Sequence, residues 1–338
     1  MITFFTCPKP FRGQFNVIQR NAIKSWCLLR PKPEIILAGD DEGISEVCKE
    51  FALVHLAEIK KNAYGTPMVD SIFQVSQKRA KNSVVCYINS DIILFSKFIS
   101  AVDTVSSRLS KFLMIGQRWD VEIKDLLNFA SDSWETDLHL LRKQSGKMHS
   151  ENAMDYFVFP RGMYTDIPPL AIGRLRWDNW LVWRVRSKFI PIVDATEAVT
   201  IVHQDHDYAA GIIHVLENDM LTSEYHENST GTLQRFDGRW VKLGPEAQRN
   251  DGLVPEDIRQ FGIWASTWML DHQGTLKRRP LSLTPAYLKY QLKWVLPLYS
   301  PRLGRMVRWI FSVGKALRRL VGRHLFKTDA SRYRIPPD

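Results

Sequence analysis

Cysteine is scarce in this chain of 338 residues, and the four present, Cys7, Cys27, Cys48 and Cys86, all fall in its first third. None forms a CxxC pair and no Cys-rich loop framework surrounds them, which excludes a disulfide scaffold and predicts a reduced, cytoplasmic chain. No stretch of about 18 apolar residues occurs, so a conventional membrane span is not expected. The opening MITFFTCPKPF has no charged region leading into a long apolar run, and neither a signal peptide nor a signal anchor is expected from it. Internal repeats and low-complexity segments are also missing. Acid is missing locally: from His272 to Thr328 there are 13 Lys or Arg residues and no Asp or Glu.

That last absence explains the charge. The formal net charge is +10, yet with the His272–Thr328 block set aside the first 271 residues come to −3. A mildly acidic body does not point to nucleic acid, and none is expected as a partner. The basic character belongs to a tail. An apolar fraction of 45% and a charged fraction of 24% are ordinary for a globular protein with a real core.

Apolar runs of strand length alternate with helical patterns through the first hundred residues. Ile2–Thr6, Glu34–Ala38, Leu53–Leu56 and Ser83–Ile88 read as buried strands, and Asn16–Leu29, Ile44–Glu50 and Pro67–Lys81 as helices between them. Continuous apolar strands alternating with helices predict a twisted, mainly parallel α/β sheet covered on both faces. Ligands of such sheets lie beyond the carboxyl ends of the strands. Polar groups collect at those ends: Thr6, Asp40-Asp41 and Asn89-Ser90-Asp91. From about Ile115 to Tyr208 the pattern is aromatic-rich and more mixed, and Val199–Val202 reads as a further strand running into His203-Gln204-Asp205-His206-Asp207. TGTLQRFDGRWVKLG reads as a hairpin about an Asp-Gly turn.

An acid at a strand end can hold a divalent cation against a diphosphate, although Asn, Ser and Asp serve equally well as caps and turns. His203 and His206 lie three apart, but no Cys or third His is spaced to complete a tetrahedral zinc site. Asp178, in Trp177-Asp178-Asn179-Trp180, suits either a proton acceptor or the cap of a core helix.

The stretch EIILAGDD, followed by YGTPMVDSIFQVSQKRAKNSVVCYINSDIIL, resembles the nucleotide-sugar-binding half of GT-A glycosyltransferases. The later DYFVFPRGMYTDIPPLAIGRLRWDNWLVWRV is similar to their acceptor-side region. The resemblance covers roughly residues 1–210 and implies a GT-A-like fold with hexosyl transfer from a nucleoside diphosphate sugar to a glycan or lipid-linked acceptor hydroxyl. Thr6, Asp40, Asp41, Gly65, Thr66, Asn89 and Asp91 then match donor-binding positions. The tripeptide departs from the DxD pattern at Asn89, which leaves Asp91 as its only charged group. By the same resemblance Asp91 and His203 hold Mn²⁺ or Mg²⁺, with His206 in reserve, and Asp178 is the general base. Trp177, Asp155 and Arg161 fall on the acceptor side. Residues 1–115 form the nucleotide-sugar half and 116–271 the acceptor half of one catalytic domain, with 272–338 as the tail. The alternatives are a non-catalytic GT-A-like binding module and a sugar nucleotidyltransferase, whose Gly-rich signature loop CPKPFRGQF does not match.

In the tail, Arg305–Phe326 separates two faces at about 100° per residue. Met306, Trp309, Ile310, Val313, Leu317, Leu320 and Val321 share one arc, opposite Arg305, Arg308, Lys315, Arg318, Arg319 and Arg323. Tyr287, Tyr290, Trp294 and Tyr299 lie upstream. The pattern predicts a helix lying on an anionic membrane surface, and with it a peripheral enzyme of glycan or polysaccharide synthesis on the cytoplasmic face.

Overall fold

The computed structural model of the protein describes residues 1–151, 154–174, 176–206, 213–215, 233–236, 239–243 and 262–279. Two compact units divide at Arg279 and Pro280. The second, with the helix expected at Arg305–Phe326, lies outside the described residues, as does the expected turn at Asp237-Gly238.

In chain order the first unit begins β1 (Ile2–Thr6), α1 (Gly13–Leu28), β2 (Glu34–Ala38), α2 (Ile44–Phe51), β3 (Val54–Leu56), α3 (Val69–Arg79) and β4 (Val84–Ile88). β5 (Ile92–Leu94), α4 (Lys97–Ser106), β6 (Leu113–Ile115), β7 (Trp119–Val121), α5 (Trp134–Ser145), β8 (Lys147–Met148) and β9 (Tyr156–Pro160) follow. Then come α6 (Trp177–Ser187), β10 (Ile192–Asp194), β11 (Ile201–Gln204), β12 (Ile213–Val215), β13 (Leu233–Phe236), β14 (Arg239–Leu243), β15 (Trp268–Leu270) and β16 (Leu276–Arg278).

Nine strands make the main sheet, in the order β16-β15-β10-β6-β9-β4-β1-β2-β3. β3, β2, β1 and β4 run parallel, as do β6, β10 and β15; β9 runs antiparallel between the two groups and β16 antiparallel at the edge. The result is the mainly parallel α/β sheet that the sequence predicts. The basic stretch does not begin as tail, because Leu276–Arg278 pair with β15. The expected hairpin is present as β13 against β14, closing at the pair Phe236 and Arg239.

Strand alternation divides the aromatic core between the two faces of the main sheet. Phe4 meets Trp26 and Phe98 edge-on, whereas its neighbour Phe5 meets Phe73, Tyr87 and Phe159. Phe73 also stacks on Tyr87 and Phe159, at centroid distances of 5.4 and 5.9 Å. α1 is less apolar than its position requires. Ile18, Ala22, Ile23 and Trp26 are buried, but so are Gln19, Asn21 and Ser25, whose side chains bond to other elements rather than to water.

A smaller sheet, in the order β5-β11-β7-β8, grows from the residues just after Asp91. β11 pairs antiparallel with β5 and parallel with β7, in a register that sets His203 opposite Ile92 on one side and Asp120 on the other. No helix among the described residues is long and apolar enough to cross a membrane.

Candidate active site

β4 ends at Ile88, and Asn89-Ser90-Asp91 turns the chain into β5. Two buried amides fix this turn. Gln204 donates to the backbone oxygens of Asp91 and Ile18, at 3.0 and 2.7 Å, and accepts from Asn21 at 3.0 Å. Gln19 accepts from the Ser90 hydroxyl and from the Lys9 backbone N–H, both at 2.8 Å, and donates back to the Lys9 carbonyl at 2.9 Å. A loop tied on both sides to one helix holds its carboxylate in a set place.

Asp91 Oδ2 lies 3.2 Å from His206 Nε2 and 3.6 Å from His203 Nε2. Its Oδ1 is buried with no hydrogen-bond partner among the described residues. Burial alone would raise the Asp91 pKa, but the two imidazoles override it and hold the carboxyl well below the usual range. The smaller sheet supplies the other half of the cluster. His203 Nδ1 lies 3.1 Å from Asp120 Oδ1 and 3.7 Å from Asp205 Oδ1, charge contacts at poor hydrogen-bonding angles. Burial opposes charge on the imidazole, yet the surrounding carboxylates push its pKa up to about 12. Asp120 is itself held by Arg118 Nε at 2.8 Å and His149 Nδ1 at 2.6 Å.

Two groups of ligand atoms here are close enough to share one ion: Asp91, His203 and His206, and Asp120, His203 and Asp205. The first group fits a divalent cation better, because its carboxylate keeps a buried oxygen without a partner whereas both Asp120 oxygens are occupied. One carboxylate with two imidazoles is a donor set suited to Mn²⁺ and its neighbours in the first transition series.

Asp155 precedes β9 and is buried. Its Oδ1 accepts from Asn89 Nδ2 and Arg118 Nη1, each at 2.8 Å, and its Oδ2 has no partner among the described residues. Asp178 is the second residue of α6, whose preceding residue Arg176 adopts a left-handed φ of 74°. Its Oδ1 accepts from the Asn179 backbone N–H at 2.8 Å. Burial, reinforced by the charge of Asp155 and only partly offset by that backbone bond and Arg118, raises its pKa from 3.8 to about 7.

The structure therefore gathers Asn89, Asp91, Asp155, Asp178 and His203 at the carboxyl ends of β1 and β4. Thr6 ends β1 there, its Oγ1 buried and without a partner among the described residues. Asp40 and Asp41 follow β2 and share Lys61, at 2.5 and 3.3 Å. Gly65, at a φ of 79°, closes a turn in which Asn62 bonds to the backbone of Tyr64 and Thr66. Thr66 Oγ1 accepts from Arg174 at 3.3 Å.

Several expectations need correction. His203 lies within β11, not beyond it, because the strand starts at Ile201 and pairs on both sides. The Asn89 Nδ2 donates to Asp155, so that half of its amide buttresses the site. The Trp177 ring is only 6% exposed and packs edge-on against Tyr87, which makes it core and not a sugar platform. Arg161 lies at the other end of the sheet, since β9 runs antiparallel to β4 and sets Pro160 opposite Val84; its N–H bonds Ser83 and its guanidinium bonds Ala80. Sequence reasoning missed Arg118, Asp120 and His149. The available signal was Arg118-Trp119-Asp120, separated by two residues from the apolar run Phe112–Ile115, the same strand-end logic that singled out Asp91.

No family profile and no curated protein sequence matches the chain. Solved structures do. A nucleotide-diphospho-sugar transferase from Desulfovibrio desulfuricans is 14% identical, with 77% of this chain and 96% of that one covered and a TM-score of 0.35. The mannosyltransferase PcManGT from Pyrobaculum calidifontis, in complex with GDP-Man and Mn²⁺, is 11% identical over 62% and 58% of the two chains, with a TM-score of 0.37. TarS 1–349 from S. aureus is 10% identical, and the match spans only 38% of each chain, with a TM-score of 0.30. These structures fall in the class of nucleotide-sugar enzymes that the sequence resembles. Similarity at this level carries no argument about activity, which rests on this chain's own residues.

Proposed function

We propose that the chain is a glycosyltransferase that moves a sugar from a nucleoside diphosphate donor to an acceptor hydroxyl with inversion. One observation carries this reading. A carboxylate–imidazole cluster able to hold a divalent cation and a carboxyl tuned to about 7 occupy the same end of one parallel sheet. A proton acceptor of that pKa is matched to work near neutral pH.

Asp91, His203 and His206 would hold the ion, Mn²⁺ or Mg²⁺, which when bound supplies positive charge beside the departing diphosphate. Asp120 and the paired register of β7 and β11 fix the ring of His203. Asn89 and Arg118 fix Asp155, whose charge helps keep the Asp178 carboxyl weakly acidic. Asp178, once ionised, takes the proton of the acceptor hydroxyl as its oxygen bonds to the anomeric carbon and the bond to the diphosphate breaks. Asp40, Asp41, Gly65 and Thr66 lie where the nucleoside side of such a donor would extend.

The basic stretch beyond Arg279 belongs to the same proposal, as an anchor to anionic membrane that would bring the enzyme to a lipid-linked or glycan acceptor on the cytoplasmic face. Incubation with UDP-, GDP- and dTDP-sugars, with and without Mn²⁺, tests the activity through release of nucleoside diphosphate. The reading predicts release from one donor class that rises with Mn²⁺. No release from any of them, with any acceptor extract, would contradict it.

A further inference from the structure

Lys9 is a cation near the Asp91 turn that the proposed chemistry leaves unused. Its backbone is not free to move, because both its N–H and its carbonyl bond to the buried Gln19 amide. The same Gln19 oxygen accepts from Ser90, the residue next to Asp91. One side-chain oxygen therefore fixes the Lys9 backbone and the metal-site turn relative to each other. The lysine side chain is exposed, and its Nζ sits 4.2 Å from the centroid of the Phe15 ring. Phe15 in turn meets His206 edge-on at 5.2 Å, and His206 reaches Asp91. No ion pair of the Lys9 ammonium occurs among the described residues.

With a divalent cation held on Asp91, a lysine whose backbone is fixed beside it faces a net positive site, and an anion lying between the two relieves that repulsion. The departure at Asn89 sharpens the point. With a single carboxylate in the turn, a bound divalent cation keeps an uncompensated positive charge, and Lys9 adds a second. A diphosphate carries the matching pair of negative charges. Partial desolvation pulls the Lys9 ammonium below its usual range although the residue as a whole stays exposed; Asp91 opposes this and Arg174 adds to it, so Lys9 lies within electrostatic reach of both.

We propose that Lys9, fixed by Gln19 and seated on Phe15, binds the diphosphate of the donor and takes the place of the second acidic ligand as the means of setting charge at this site. The assignment rests on the glycosyl-transfer reading, and it makes Lys9 a reader of phosphate number. A monophosphate has a single phosphoryl group, which the ion would occupy, whereas a diphosphate, or inorganic pyrophosphate without any nucleoside, has one for the ion and one for Lys9.

Calorimetry of the full-length chain with Mn²⁺ present tests it, using UDP, GDP, UMP, GMP and inorganic pyrophosphate as probes. Lys9→Ala should weaken the preferred nucleoside diphosphate and pyrophosphate by on the order of tenfold or more, the size of a lost charge-assisted bond. The matching monophosphate and Mn²⁺ itself should bind nearly as to the wild type, and Lys9→Arg should restore most of the diphosphate affinity. If the wild type binds a nucleoside diphosphate and Lys9→Ala binds it as tightly, the assignment of Lys9 is overturned and the glycosyl-transfer reading stands. If the wild type binds none of the probes, both are overturned.

Discussion

Asp178 carries two demands that pull against each other. As a base it must ionise; as a group burial has pushed up from 3.8 to about 7, it resists ionising. Turnover should therefore rise with pH through about 7, and Asp178→Asn should lower it by roughly 10²-fold or more with donor affinity nearly preserved. The same shift fixes a stability effect of known sign. A folded-state pKa above the unfolded value means stability that is full below 3.8 and is lost as pH rises through about 7. Asp178→Asn, which cannot ionise, should unfold at higher temperature than the wild type at pH 8 and at about the same temperature at pH 4. Thermal melts at both pH values check this. A variant with wild-type turnover and unchanged melting at pH 8 would make Asp178 a structural residue of the α6 first turn.

At the scale of elements, the parallel strands and their helices were legible because their signals are local. Ile2–Thr6 and Glu34–Ala38 are found with the bounds their apolar runs predict, and α2, α3 and β4 within a few residues. What was not legible depends on pairing at long range. Nothing near Val199 says that β11 will sit between β5 and β7, yet that register sets His203 beside Asp120. Arg161 was misread because only the antiparallel run of β9 against β4 decides which end of the sheet it faces, and Trp177 because its burial depends on α6 packing against Tyr87 of β4. The buried amides of α1 look like a defect in an amphipathic helix until Gln204 and Ser90 arrive from elsewhere to meet them. Gln204→Leu should accordingly leave one Asn21 N–H unpaired, its bond to Asp125 surviving, and take one donor each from the carbonyls of Ile18 and Asp91. A loss of about 3 kcal/mol in urea unfolding is expected for such orphaned groups. A variant as stable as the wild type would show that the amide contributes little to holding α1, β5 and β11 together.

At the scale of the molecule, the division of charge is the most informative property of the sequence: an acidic body followed by a stretch of 13 basic residues without one acid. Each basic residue near an anionic surface contributes about 1 kcal/mol, and that part is screened by salt. Apolar residues such as Trp309, Ile310 and Leu317 would add a part that salt does not remove. Co-sedimentation with anionic vesicles should weaken as salt rises without vanishing, and the pair Ile310→Asp and Leu317→Asp should abolish the remainder. Full-length protein left in the supernatant at low salt would contradict the membrane proposal while leaving the chemistry of the site untouched.

That chemistry depends on whether Asp91 binds a donor through a metal ion, and calorimetric titration of the preferred nucleoside diphosphate sugar answers it directly. The wild type and Asp91→Asn are compared, each with Mn²⁺ and with chelator. The account predicts that Mn²⁺ tightens binding to the wild type and that Asp91→Asn, still folded by circular dichroism, binds weakly and without regard to the metal. Equal, metal-enhanced affinity in both proteins would contradict it.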